Sequence, residues 1–441
     1  MTPHRRVVRE PIAIGSMALR NRLYRAPVLE GAGDGPDAAD RYAEAFVANA
    51  SAGVGLIVQG SSCIMAEGRT SPGMTVVDTR EKMLRLAPMV SAVRSAGAAI
   101  VIQLGHGGLY AMEAWHEPYA SHRRGPLLAA SPVPWFLRPA FRGVPVHVMS
   151  TGEVRAMCST YGSAAGWARE AGYAGVQLGS ANAKLLDQFL SPFYNRRTDE
   201  FGGSLERRAS VLRLIRAAVA ERAGADFPCL VKVPCEVGGL PFPFARRTSF
   251  EDALRLCSLV EDWGFDAVTP VEVSVFPDTT LSRGGVPDSL WKQPGMRRRF
   301  VAASPSRLRR LALQAGSWVG GVRAPFRPVW NRALFAAARR QVSSIPVFAV
   351  GGIRTAAEVD DILSSGDADL VGIGRPFYAE PDLARRILDV GDETDGDGDG
   401  DVSLDAPGLC RNSNRCVPAQ MLGMKGVCYN PEVTRRPLLQ E

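Results

Sequence analysis

The residues with the greatest chemical potential lie between Gly172 and Arg208, in the stretch GYAGVQLGSANAKLLDQFLSPFYNRRTDEFGGSLERR. Ala174 to Leu178 is a short apolar run bounded by Gly172 and Gly179. Ser204 then opens an amphipathic pattern carrying Leu205, Val211, Leu212, Leu214 and Ile215, which together predict strand, long loop and helix. Asn182, Lys184, Asp187, Gln188, Asn195, Arg196, Arg197 and Asp199 crowd that loop with polar groups. Arg196, Arg197, Asp199 and Glu200 are expected to pin the loop to the rim, which leaves Asn182 and Lys184 as candidates for chemistry.

A second chemical signal lies near the C-terminus, in PVFAVGGIRT and ADLVGIGRPFYAEPDLARR. Two predicted strands end in Gly351 and Gly352 and in Gly374 and Arg375. Glycines there let backbone N–H groups approach an anion, and Arg375 adds a fixed positive fork. Loops after the last two strands are the usual phosphate cradle of a parallel barrel.

These groups need a scaffold whose strand ends converge. Eight short apolar runs predict strands: Arg22 to Val28, Val54 to Gln59, Ala99 to Gln103, Ala174 to Leu178, Cys229 to Val233, Ala267 to Val271, Val347 to Val350 and Leu370 to Ile373. Helical patterns fall near residues 37–51, 80–96, 151–171, 204–222, 248–263, 327–341, 355–365 and 381–389. The alternation predicts an α/β protein, a TIM (β/α)8 barrel over residues 1–390. Residues 105–150 and 272–326 are long loops after strands three and six, and both are expected on the active-site face. An acidic Gly/Asp-rich linker is expected over residues 391–406, followed by a short C-terminal tail over 407–441.

Composition narrows the functional classes. The 441 residues carry 52 basic and 45 acidic side chains. The basic cluster of Arg297, Arg298, Arg299, Arg307, Arg309 and Arg310 lacks an aromatic platform beyond Phe300, so a helical insertion is expected there and no nucleic-acid site. No apolar run has membrane-spanning length and the N-terminus is a poor signal peptide, so the expectation is a cytoplasmic protein with no membrane partner. Cys63, Cys158, Cys229, Cys235 and Cys257 sit among apolar residues and read as reduced core cysteines, whereas Cys410, Cys416 and Cys428 form a separate tail group.

NRLYRAPV, VGLIVQG, IQLGHGG, LLDQFLSPFYNRRTDEFGGSLERR, VFAVGGIRT and DLVGIGRPF, in order over roughly residues 8–390, together resemble the old yellow enzyme family of FMN-dependent ene-reductases, in its 2,4-dienoyl-CoA reductase-like branch. The resemblance implies FMN, with NAD(P)H as reductant and an activated C=C, such as an enone, as acceptor. It places Pro27, Val28 and Gly60 along the flavin, Gln103 and Lys232 at its ring edge, and Gly351, Gly352, Gly374 and Arg375 at its phosphate. Lys232 stands where the family usually has Arg.

The family usually presents His, then His or Asn three residues on, then Tyr two further, after strand four. Here those positions are Gly179, Asn182 and Lys184. Lys184 is therefore either a snorkelling chain or a desolvated lysine that donates a proton or binds an anionic substrate, and His106, Tyr110, Trp115 and His116 are alternative donors on the loop after strand three. Leu29 stands where a Thr or Cys commonly meets the flavin. In the tail, Cys410, Ser413, Cys416 and Cys428 supply three thiols where relatives have four for an iron–sulfur cluster, so no cluster and no metal site are expected, with a three-cysteine zinc site as the alternative. The departures keep open a specialised flavin-dependent dehydrogenase, isomerase or C–N cleaving enzyme, or a flavin-binding protein with impaired turnover. A homo-oligomer is compatible with all of these.

Overall fold

A computed structural model of the chain describes residues 6–116, 119, 125–237, 246–273, 283–389, 404–405 and 408–434. Eight strands form one parallel sheet: β1 (Leu23–Arg25), β2 (Leu56–Cys63), β3 (Ala99–Gly105), β4 (Gly175–Leu178), β5 (Cys229–Glu236), β6 (Ala267–Val273), β7 (Phe348–Val350) and β8 (Leu370–Ile373). Their order is β6-β5-β4-β3-β2-β1-β8-β7. A parallel bridge from Val268 to Val347 brings the two edges together, with the Val268 N–H donating to the Pro346 carbonyl at 3.1 Å. The eight expected strands are all present. Strand β1 is shorter than expected because Pro27 removes a ladder donor, and β2 runs on to Cys63 through a register shift between Gln59 and Ser62.

Helices α1 (Ala38–Ser51), α2 (Ala87–Ser95), α3 (Thr151–Glu170), α4 (Leu205–Ala223), α5 (Phe250–Asp262), α6 (Arg332–Gln341), α7 (Ala356–Ser364) and α8 (Leu383–Asp389) follow the strands in turn. Their starts are written in the sequence: Ser150 and Glu153 form a reciprocal capping box at α3, as do Ser249 and Asp252 at α5 and Thr355 and Glu358 at α7. The main core fills the space between strands and helices, with Ile57, Ile100, Ile102, Val176, Val231 and Val268 on the strand side. Helices α3 and α4 cross closely at Gly162, where a Cβ would lie 2.6 Å from the Ala218 carbonyl oxygen.

The barrel interior follows the two-residue period of a strand. A lower apolar layer of Tyr24, Leu56, Val58, Val101, Leu230 and Phe348 is closed from below by Ile14, Met17 and Leu19 of an antiparallel hairpin, Ile12–Ile14 with Met17–Leu19. That hairpin has only three residues per strand and no strong sequence signal. One step up, Gln103 follows Val101 and Lys232 follows Leu230, so the same alternation that packs the lower layer sends these two polar side chains toward the C-terminal mouth.

The loop after β3 carries a small parallel pair, Leu127–Ala129 with Val146–Val148. The loop after β6 holds helices Pro294–Ala303 and Arg307–Arg323, as the basic cluster led us to expect. Residues 391–403, 406–407 and 435–441 of the expected linker and tail lie outside the described residues. Over residues 408–434 the chain packs on the barrel mouth: Gly426 N–H donates to the Glu30 carbonyl at 2.7 Å, Cys428 N–H to the Tyr378 carbonyl at 3.2 Å, and Gly285 N–H to the Asn412 carbonyl at 2.8 Å.

Candidate active site

Three strand ends converge where the sequence placed Pro27, Val28, Gly60 and Gly374. A Cβ on Gly60 would lie 1.6 Å from the Val28 carbonyl oxygen, and one on Gly374 would lie 3.3 Å from Val28 Cγ1. Only glycine allows the ends of β1 and β2 to approach this closely, whereas a Cβ at the end of β8 would press on a side-chain methyl. Leu29, next in line, packs against Cys63, Met74 and Val76 and offers no donor to the site. The five cysteines expected in the core, Cys63 among them, are all free and buried.

Across the mouth, Gln103 Nε2 donates to Gln177 Oε1 at 2.7 Å, and Gln177 Nε2 donates to Thr269 Oγ1 at 3.3 Å. This chain of amides fixes the Gln103 side chain against β4. Gly179 lies over it, since a Cβ there would be 3.6 Å from the Gln103 side chain. Lys232, on β5, makes no hydrogen bond or ion pair through its ammonium among the described residues. Burial alone lowers it to about 8. A desolvated cation without a carboxylate partner is a site for an anion or for an electron-rich ring edge.

The loops after β3 and β4 are stitched together by one buried side chain that sequence reading left without a role. Gln188 Nε2 donates to the carbonyls of Gly107 (3.2 Å) and Ala183 (2.8 Å), while its Oε1 accepts from Leu109 N–H at 3.2 Å. Leu185 N–H adds a bond to the His106 carbonyl at 2.8 Å. Within the clamp, Asn182 and Ala183 both adopt left-handed backbone, with φ of 61° and 55°, a costly conformation for two successive non-glycine residues. Asp187 Oδ2 holds the turn by accepting from Ala183 N–H at 2.6 Å.

His106 and Lys184 meet beneath this clamp. The His106 Nδ1 accepts from Gly108 N–H at 3.0 Å, which assigns the ring proton to Nε2. Nε2 is buried and without a partner. Burial, reinforced by the charge of Lys184, depresses His106 to about 4, so it stays neutral. Lys184 is itself lowered to about 8 by burial, opposed weakly by Cys63, and its ammonium also lacks a hydrogen bond among the described residues. The two side chains are a neutral and a cationic donor held without internal acceptors. Of the other expected donors, Tyr110 shares a 2.7 Å hydroxyl contact with Tyr194, and His116 Nδ1 accepts from Tyr119 N–H at 3.2 Å. Trp115 Nε1 is buried and unpaired.

The rim residues behave structurally. Arg197 binds Asp199 and the carbonyls of Ala130 and Met149, and Glu200 pairs with Arg155 at 2.6 Å. A second feature that sequence reading missed is the pair Asp187 and Glu236. Glu236 Oε2 accepts from Ser191 Oγ (2.8 Å) and Thr248 N–H (2.7 Å). Asp187 Oδ1 and Glu236 Oε1 are buried with no partner. Burial raises both carboxyls above the usual range, and for Asp187 the neighbouring Glu236 adds to the effect.

At the opposite end of the mouth, Gly351 and Gly352 have φ of 119° and 78°. Trp330 covers them: a Cβ on Gly351 would lie 2.9 Å from the indole. Arg283 stacks 4.6 Å over the same ring and pairs with Glu272 at 2.8 Å. Arg375 donates to Asn414 Oδ1 and, at 3.0 Å, to the Arg283 carbonyl. Two neutral oxygens thus occupy the fork where phosphate oxygens were expected.

The residues at the ring end fit a flavin: a half-buried cation, Lys232, without a counter-charge among the described residues, an anchored amide and glycine-tight strand ends. The phosphate end has the donors, with Arg375 engaged by internal acceptors. The tail fits a four-thiolate cluster less well. Cys410, Cys416 and Cys428 line a small cavity of about 20 Å³, room for little more than a water, together with Arg375 and Asn414, and Ser413 stands in the fourth position. Burial pushes the Cys416 thiol up to about 11. Among the described residues no group of three or more His, Cys, Asp or Glu is arranged to hold a metal.

Comparison with known proteins agrees with this geometry. The profile of the NADH:flavin oxidoreductase / NADH oxidase family matches residues 8–236 and 317–390. A metal reductase of Desulforamulus reducens is 29% identical over 378 residues, covering 86% of this chain and 48% of its own length. An NADPH dehydrogenase of Bacillus subtilis is 24% identical over 384 residues, covering 85% and 92%. The chain spans about half the length of the curated relatives it matches most strongly. Morphinone reductase superposes with a TM-score of 0.61 at 22% identity, covering 88% of this chain and 90% of its own, which shows the shared barrel. With the profile spanning most of the barrel and the strand-end glycines, Gln103 and the β7–β8 turns in place, the chain belongs to the NADH:flavin oxidoreductase / NADH oxidase family, that of old yellow enzyme.

Proposed function

We propose that this protein is an FMN-dependent NAD(P)H oxidoreductase acting on a small molecule whose C=C bond is polarised by a neighbouring oxygen. The observation that carries this reading is the pair of donors at the mouth: His106 Nε2–H, buried and without a partner, and beside it the half-buried Lys184 ammonium, which makes no hydrogen bond among the described residues. Bound FMN would supply two-electron transfer between a nicotinamide and the acceptor. Gln103 would donate to the ring edge, and Lys232 would stabilise negative charge there. Pro27, Val28 and Gly60 would line the ring, and Gly351, Gly352, Gly374 and Arg375 would hold the phosphate.

The protein's own groups then have distinct tasks. His106, neutral at physiological pH, would donate Nε2–H to the acceptor's oxygen. Asn182, half-buried in a strained turn, would add a second amide donor. Lys184 at about 8 is about nine-tenths protonated at pH 7, so it holds a transferable proton where the family usually has Tyr. A positioned donor of this kind is worth on the order of a hundredfold in rate. Leu29 leaves the ring face without a hydroxyl or thiol contact. With Gly179, it favours an acceptor different in shape from the family's usual one.

The test is spectroscopic. Purified protein, reconstituted with FMN, should show a flavin spectrum that bleaches with NADH or NADPH under anaerobic conditions and returns on adding cyclohexenone or a dienoyl thioester. A protein with no affinity for FMN would overturn the proposal. A flavin that is reduced yet ignores every enone would redirect it to specialised dehydrogenation, isomerisation or C–N cleavage.

A further inference from the structure

The helix Arg307–Arg323, RLRRLALQAGSWVGGVR, is built the wrong way round for a helix that packs on a core. Leu308, Leu311, Ala315, Trp318, Val319 and Val322 recur at helical spacing on one arc. That arc faces solvent: Leu308 is 81% exposed, Leu311 61%, Trp318 58% and Val322 57%. The helix buries no residue. Its inner side is polar or small. Gly321 lies against Val286, with a Cβ there placed 2.9 Å away. Arg309 donates to the Ala114 carbonyl at 2.9 Å, and Arg310 to the Ser304 and Pro305 carbonyls at 2.6 Å. Water is a poor neighbour for such an arc.

Charge identifies the chemistry of that occupant. Arg307 and Arg323 border the apolar arc, and Arg297, Arg298 and Arg299 are exposed on the preceding helix beside Val301, itself 42% exposed. No Asp or Glu stands between Asp288 and Glu358. Asp288 is already paired with Arg415 and Lys292, both at 2.8 Å. A nucleic-acid backbone would match the arginines and leave the apolar arc wet. An anionic lipid surface matches both.

We propose that this helix lies on membrane surfaces rich in anionic headgroups, its apolar arc at the headgroup boundary with Trp318 among the interfacial side chains and the flanking arginines against phosphates. The contact is peripheral. No helix among the described residues is long and apolar enough to cross a membrane.

The experiment is co-sedimentation of the full chain with phosphatidylcholine vesicles, with and without phosphatidylglycerol. Binding is expected to the anionic vesicles alone, to weaken in high salt, and to fall at least about tenfold in Leu311→Asp and Trp318→Asp. Both side chains are exposed, so these variants should keep the wild-type circular dichroism. Combined Arg297→Gln, Arg298→Gln and Arg299→Gln should remove most of the salt-sensitive part. Absence of binding to anionic vesicles overturns the proposal, as does equal binding to neutral ones. A lipid-free dimer in light scattering that Leu311→Asp dissociates would also overturn it, assigning the face to a second copy.

Discussion

Replacing Lys184 by Met separates stability from catalysis at one position. In the folded protein Lys184 titrates at about 8 against an ordinary 10.5, because burial disfavours its charge. At about 1.36 kcal/mol per pH unit that gap is worth about 3.4 kcal/mol, a ceiling because the side chain keeps some exposure. The sign is fixed by the protons bound. Between pH 8 and 10.5 the unfolded chain holds the proton that the folded chain has released, so stability rises with pH across that window. Below pH 8 the full cost of the buried charge is present. Urea unfolding of flavin-free protein should therefore find Lys184→Met more stable than wild type at pH 7, by up to about 3 kcal/mol, with the difference collapsing above pH 10.5. The same variant should reoxidise more slowly with an enone, by about a hundredfold, and lose the limb near pH 8. A variant less stable than wild type at pH 7, or a difference independent of pH, would refute the assignment of Lys184 as a desolvated, unpaired ammonium.

Three further outcomes follow from the same physics. Glu30→Gln removes the carboxylate 2.6 Å from Arg25 in a fully buried pair, and should cost about 3–5 kcal/mol in urea unfolding because an uncompensated guanidinium remains. Glu236 is raised above the usual carboxylate range, so the folded state binds the extra proton and wild-type stability should decline as pH rises from the ordinary carboxylate range through the raised value; Glu236→Gln should flatten that decline in a pH series of thermal melts. Arg375→Ala removes charge-assisted donors worth about 1.5–3 kcal/mol, part of which is already returned by their bonds to Asn414 and the Arg283 carbonyl, so FMN titration followed by flavin fluorescence should show affinity lower by up to about tenfold.

The barrel was legible because its strands are short apolar runs and its helices carry explicit caps such as Ser150 with Glu153. Period two along β3 and β5 sends Gln103 and Lys232 the same way as Val101 and Leu230, so their place at the mouth could be read by counting. The three-residue strands of the N-terminal hairpin and of Leu127–Ala129 with Val146–Val148 are too short to give a periodic signal. Gln188 and the pair Asp187 and Glu236 escaped for another reason. Their roles depend on which loops meet across the mouth, and a polar residue in a loop looks alike whether it faces water or clamps a neighbour. Trp330 and its cover over Gly351 belong to the same class of long-range contact.

Arg375 couples two events that are usually considered apart. It holds Asn414 of the C-terminal segment and the Arg283 carbonyl with the same guanidinium that the turn after β8 presents to an anion. Any phosphate arriving there enters by exchange, so its measured affinity is the difference between two sets of charge-assisted bonds rather than the strength of the new one. By reciprocity, an anion that wins the exchange loosens the C-terminal segment by the same free energy, and protease sensitivity of residues near Asn414 becomes a gauge of how full the proposed phosphate site is.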